Sequence, residues 1–126
     1  MKSTRHVAAQ KRGAFAETLA VWRLRLAGWR LVARDLRLGP AQIEIVATRK
    51  RVLAFVEVKR RERIEDAADA LHPAQRARIA RAAEIFLAQR PDFAAFETRF
   101  DAILIAPGRW PEHRQDAWRD SGPRPK

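Results

Sequence analysis

Two glutamates and a lysine, Glu44, Glu57 and Lys59, stand in a stretch that otherwise reads as buried sheet. Two alternating apolar runs between Gln42 and Arg61 flank a basic turn, Thr48-Arg49-Lys50-Arg51, the pattern of an antiparallel hairpin. In the first run Ile43, Ile45 and Ala47 share one face, and Gln42, Glu44 and Val46 the other. The second run, Val52 to Lys59, is apolar on both faces, as in a central strand. Val52, Ala54, Val56 and Val58 line one face; Leu53 and Phe55 line the other, which continues into Glu57 and Lys59. Closure about Arg49-Lys50 would set Glu44 opposite Phe55 and diagonal to Glu57. Two neighbouring carboxylates repel, and each raises the cost of ionising the other. A divalent cation removes that conflict, and magnesium favours one or two carboxylates plus water and phosphate oxygens. A lysine two residues on could steady developing negative charge or orient a water. The alternative is a solvated charge pair beyond the buried part of the strand.

Other elements must hold this hairpin. A helix is expected from about Gly13 to Ala27, with an apolar stripe of Phe15, Leu19, Trp22 and Leu26. Glu17 lies on the opposite side with Ala20, Val21 and Leu24, so it is either half-buried or a surface acid favoured by the helix dipole. Gly28 can stop that helix. Trp29 to Leu36 reads as a strand, and Gly39-Pro40 as a loop. Residues 60–71 read as a connection with a short helical turn. His72-Pro73 opens a second helix, which ends before Pro91 and has Ile79, Ala82, Ala83 and Phe86 on its inner stripe. Gln75 lies on that stripe, while Arg76, Arg78 and Arg81 spread over other faces, either to meet phosphates or as solvated surface. Thr98 to Ala106 reads as the last strand, with Asp101 free to pair with Arg99 or a residue near the hairpin. Residues 1–12 read as a basic, flexible start, and 107–126 as a disordered basic tail rich in Pro, Gly and Arg. Trp110 and Trp118 are unusual in such a tail; they either fold back or stack on bases.

This ordered set resembles the YraN-like family of the PD-(D/E)-x-K nuclease superfamily, whose members are similar to Holliday-junction resolvases. Gly13-Ala14-Phe15-Ala16-Glu17 fits the family's early G-x-x-x-E, Phe55-Val56-Glu57-Val58-Lys59-Arg60-Arg61 its F-V-E-V-K-x-R, and Arg99-Phe100-Asp101 its last-strand R-F-D. Two positions depart. Glu44 stands for the family's aspartate, and Gln75 for its helix lysine. The resemblance implies a restriction-endonuclease-like α/β core in the order α-β-β-β-α-β, over residues 13–106, with a mixed sheet flanked by helices. It implies that Glu44 and Glu57 hold Mg²⁺ or Mn²⁺, that Glu17 supports the metal or a water, and that Lys59 positions the attacking water. The implied activity is metal-dependent cleavage of DNA phosphodiesters, branched DNA included. The second reading is a degenerate member that binds nucleic acid and cuts nothing, favoured by Glu44 and Gln75.

Composition narrows the partners. The 126 residues suit one domain, and 26 basic against 15 acidic residues give a net charge of +11. That excess calls for an acidic partner, with nucleic acid first, DNA ahead of RNA, and an anionic membrane surface second. Arg49, Lys50 and Arg51 of the turn, Arg60 and Arg61 after the lysine, and Arg76 are the expected nucleic-acid contacts. A homodimer is an open expectation. No apolar run approaches the roughly 20 residues of a membrane span, and the basic start lacks the apolar core of a signal peptide, so a cytoplasmic protein is expected. A basic structural protein of a ribonucleoprotein is a third class. It predicts no cluster of acids at the end of the sheet.

Overall fold

The computed structural model describes residues 4–39, 41–63 and 72–119, with side chains from residue 14 onward. Its elements are α1 (Thr4–Leu26), β1 (Arg30–Leu38), β2 (Ala41–Arg49), β3 (Val52–Arg60), α2 (Pro73–Gln89), a 3-10 turn (Pro91–Phe93), β4 (Glu97–Ile105) and β5 (Glu112–Trp118). The expected α-β-β-β-α-β order is present, and a further strand extends it. Five strands form one sheet in the order β1-β2-β3-β4-β5. Only β3 and β4 run parallel, so the chain must cross over between them, and α2 lies on that crossover.

The sheet carries a core on each face. Ala16, Ala20, Val21 and Leu24 of α1 pack on Ile45, Ala47, Ala54, Val56, Ile103 and Ile105. Ile79, Ala82, Ala83 and Phe86 of α2 pack on Ile43, Val46, Leu53 and Phe55. The two-sided burial of β3 follows its sequence, with even positions under α1 and odd ones under α2. α1 buries its small residues and leaves Phe15, Trp22 and Leu26 exposed, so the larger stripe is not the core-facing one. Close approach of helix to sheet needs the small face. The Gly28 amide donates to the Arg25 carbonyl and the Trp29 amide to that of Leu24, both at 3.0 Å. With Gly28 at φ +89°, this is a glycine-terminated helix end.

Four expectations change. The hairpin turns one residue later than expected, which moves each cross-strand partner by two, so that Arg49 stands opposite Val52 and Ile45 opposite Val56. Lys50 and Arg51 form its two-residue turn at φ +50° and +63°, the twist-matched geometry for a tight hairpin. Next, β2 does not alternate throughout, since Ile43 packs under α2 and Ile45 under α1. The break falls at Glu44, level with Asp35 of β1, whose φ is +53°. Third, α1 begins at Thr4, within the stretch 1–12 expected as a basic, flexible start. Fourth, the tail is not disordered over 112–118. β5 pairs antiparallel with β4, and Trp118 stacks on Phe100 at 4.1 Å between ring centroids. Of the connection with a short helical turn expected over 60–71, residues 64–71 lie outside the described residues, as does the tail beyond 119.

Buried Asp101 fastens β5. Its carboxylate accepts from Arg99 at 2.8 and 2.9 Å, from the Asp116 amide at 2.9 Å, and pairs with His113 Nε2 at 2.8 Å. Burial opposes ionisation there, but the His113 and Arg99 partners outweigh it and hold the carboxyl below the usual aspartate range. The charge is thus satisfied by structure, and Asp101 does not line the cleft described next.

Candidate functional site

Where β1 and β2 break their alternation, the sheet opens a cleft of about 430 Å³. Glu17 of α1, Asp35 of β1, Glu44 of β2 and Glu57 of β3 line it. Gln75 and Ile79 of α2 form the opposite wall, with Arg37, Arg78 and Gln42 around them. The corrected register is what brings the glutamates together. The paired ladder ends at Ile45–Val56, and Glu44 and Glu57 are the next residues beyond it on the two strands. A two-residue change of register keeps the expected faces of β3, while in β2 Ile43 leaves the face expected for it.

Glu57 is 3% exposed, and its Oε1 is buried without a hydrogen bond. Burial pushes its carboxyl up to about 9. A hydrogen bond and repulsion from Glu44 add to the rise, while the charge of Lys59 works against it. Glu57 therefore holds a proton at neutral pH in the metal-free protein. Glu17 shows the same tendency more weakly. Burial, then a hydrogen bond and repulsion from Asp35, then repulsion from Glu44, raise it to about 7, against the pull of Arg34. Arg34 Nε stands 3.5 Å from Glu17 Oε1 and 3.9 Å from Asp35 Oδ2. The Gln42 amide donates to Asp35 at 3.4 Å.

These acids fit a divalent cation in donor type and in electrostatics. A buried carboxyl oxygen lacks a partner, and the Glu17 and Glu57 carboxyls, raised first by burial and further by neighbouring acids, would be relieved by positive charge. Among the described residues, no three acids or histidines are already gathered as a metal cage. Magnesium does not require one, since it keeps most of its waters.

The expected site residues divide by position. Glu17, Glu44 and Glu57 meet in the cleft. Lys59 does not line it, but its charge reaches Glu57 from two residues further along β3. Arg60 and Arg61 are exposed just beyond, and Arg61 ties to β4 through its amide on the Ile105 carbonyl. Arg49, Lys50 and Arg51 sit at the other end of the hairpin, roughly 20 Å away by strand rise. Two of them serve the fold. Arg49 donates to the Ala27 carbonyl at 2.6 Å, and Arg51 lies 4.8 Å over the Phe96 ring. Arg76 turns away from the cleft toward the Trp118 ring, at 6.0 Å. Asp35 and Arg37 were missed. An aspartate between Arg34 and Leu36 in an apparent strand was the available signal, because strands are poor in aspartate.

Among the described residues no helix is long and apolar enough to cross a membrane. The chain is similar over its length to known bacterial proteins. It is 50% identical over 113 residues to a UPF0102 protein of Parvibaculum lavamentivorans, covering 90% of this chain and 85% of the relative. It is 47% identical over 121 residues to one of Paramagnetospirillum magneticum, covering 93% and 94%. A Rhodopseudomonas palustris relative is 46% identical over 129 aligned positions, covering 98% and 100%. The model of "Uncharacterised protein family UPF0102" matches residues 16–105, which include every acid of the cleft. With that match and those relatives, the chain belongs to the UPF0102 family, the YraN-like group its motifs resemble.

Proposed function

We propose that the protein is a metal-dependent hydrolase of DNA phosphodiesters, with branched DNA among its substrates. The observation that carries this reading is the buried Glu57 carboxyl, whose Oε1 lacks a hydrogen bond, beside Glu44 in a cleft lined by two further acids. That arrangement also counts against a purely structural basic protein, which has no use for four acids lining one cleft. In this reading Glu44 and Glu57 hold Mg²⁺ or Mn²⁺. When bound, such an ion lowers the pKa of water and shields the charge of a phosphate.

The protein's own groups supply the rest. Glu57 sits on the central strand, so its carboxyl is fixed by the most buried part of the sheet. Glu44 sits where β2 changes face, which turns its side chain out of the regular ladder and into the cleft. Glu17 orients a water from the α1 side. Lys59 places positive charge past Glu57, where charge develops on phosphate oxygens. The reaction is hydrolysis: water adds across one P–O bond, leaving a phosphomonoester and a free hydroxyl. The net charge of +11 attracts the polyanion regardless of its sequence.

A second reading, binding without cleavage, is favoured by the extra methylene of Glu44 and the uncharged Gln75. A displacement of about 1 Å can cost about 100-fold in rate. Cleavage of linear and four-way-junction DNA in Mg²⁺ or Mn²⁺ separates the two. The hydrolase reading expects cleavage by the wild type, its loss in Glu57→Gln, and faster cleavage by Glu44→Asp. DNA binding without cleavage by any of these forms would leave the binding reading in its place.

A further inference from the structure

Two arginines in the acidic cleft have a different relation to it from Arg34. Arg37 and Arg78 both line the cleft, and both are exposed. Among the described residues neither forms an ion pair with the four acids; the pairs to Glu17 and Asp35 come from Arg34. Simple counter-charges would lie within contact distance of a carboxylate, and these do not. They also come from different sides. Leu36 and Leu38 pack into the core under α2, which turns Arg37, between them on β1, toward the α1 side. Arg78 comes from α2, one turn after Gln75, on a helix anchored by buried Ile79. Gln75 leaves its wall uncharged, so Arg78 brings the charge on that side.

We propose that Arg37 and Arg78 form a clamp across the mouth of the cleft that grips the DNA phosphates flanking the bond presented to Glu44 and Glu57. A guanidinium has five donors in a fixed fork that matches two phosphate oxygens, and it stays charged at any working pH. β1 is an edge strand of the sheet, so a duplex can approach Arg37 without meeting another strand. Glu57, whose buried Oε1 lacks a hydrogen bond, lines the same space. Cation-holding acids at the floor and unpaired arginines at the rim match a phosphodiester, whose charge must be met from more than one direction. The inference rests on the nuclease reading but is tested separately from it.

The experiment measures binding of a short fluorescein-labelled duplex in Ca²⁺ by anisotropy, across about 50 to 200 mM salt. It uses the full chain, Arg37→Ala, Arg78→Ala, the double variant, and Arg81→Ala as control. Arg81 is on the same helix but pairs with Glu84 at 3.2 Å and does not line the cleft. Each clamp substitution should weaken binding about tenfold and lower the log–log salt slope by about 1, with additive loss in the double variant. Melting temperature should not move, since both side chains are exposed. The control should match the wild type. A double variant that binds as tightly as the wild type, with the same salt slope, overturns the clamp and leaves the nuclease reading standing. A wild type that binds no DNA overturns both.

Discussion

Replacing Glu57 by Gln exchanges an ionisable carboxyl for a neutral group of the same shape at a nearly inaccessible position. In the unfolded chain the carboxyl titrates near its ordinary 4.5; in the folded, metal-free protein it is held up to about 9. Below pH 4.5 both states are protonated and Glu57 costs nothing. As pH rises through that value, the unfolded chain releases its proton and the folded protein keeps it. Stability therefore falls with pH until the folded carboxyl itself ionises near 9. At pH 7 the accumulated cost is about 3 kcal/mol. Gln carries no such cost. The variant should match the wild type near pH 4.5 and exceed it by up to about 3 kcal/mol at pH 7, a rise of roughly 10 °C in melting temperature. Asp101 has the opposite sign: its depressed carboxyl contributes stability that is lost as pH falls, but it is common to both proteins and cancels in the difference. Adding Mg²⁺ should raise the wild-type melting temperature at pH 7 and leave the variant unmoved. Thermal melts of both proteins from pH 4.5 to 9 read the effect. A variant destabilised by about 3 kcal/mol or more at pH 7 would mean that Glu57 is ionised and paired with Lys59, and the reasoning would fail.

Two further predictions concern the frame around the site. Trp118→Ala should lower stability by about 3–5 kcal/mol, because the ring is buried and stacked on Phe100; a denaturant midpoint unchanged from wild type would show that β5 contributes nothing. Lys50-Arg51→Asn-Gly should raise stability by about 1 kcal/mol, since both native residues hold φ > 0 without the freedom of glycine; a loss on chemical denaturation would contradict the turn.

The physical reasons for what the sequence concealed are specific. The central strand was legible because β3 is apolar on both faces, and no other element explains Val52 to Val58. The hairpin register was not, because Lys50 and Arg51 carry none of the Gly or Asn signals of a turn with φ > 0. The nearness of Glu44 to Glu57 survived the error because a register change of two leaves Glu57 on the face of β3 expected for it. β5 was hidden by a tail of Pro, Gly and Arg. Its attachment runs through Asp101, whose three partners come from Arg99, His113 and the Asp116 amide. No periodicity can announce such a long-range carboxylate. The burial face of α1 was hidden because that helix is apolar on more than one side, and the tighter packing of alanines decided the contest. Asp35 joined the site through a left-handed backbone position, a conformation that its neighbours in sequence do not demand.

The central claim is that Glu44 and Glu57 together hold a divalent cation. Crystals soaked in Mn²⁺ test it most directly, through the anomalous scattering of the ion. The account predicts a peak in the cleft within coordinating distance of both carboxylates, absent from crystals of Glu57→Gln soaked identically. Wild-type crystals with no peak there, or a peak that persists in the variant, would contradict it.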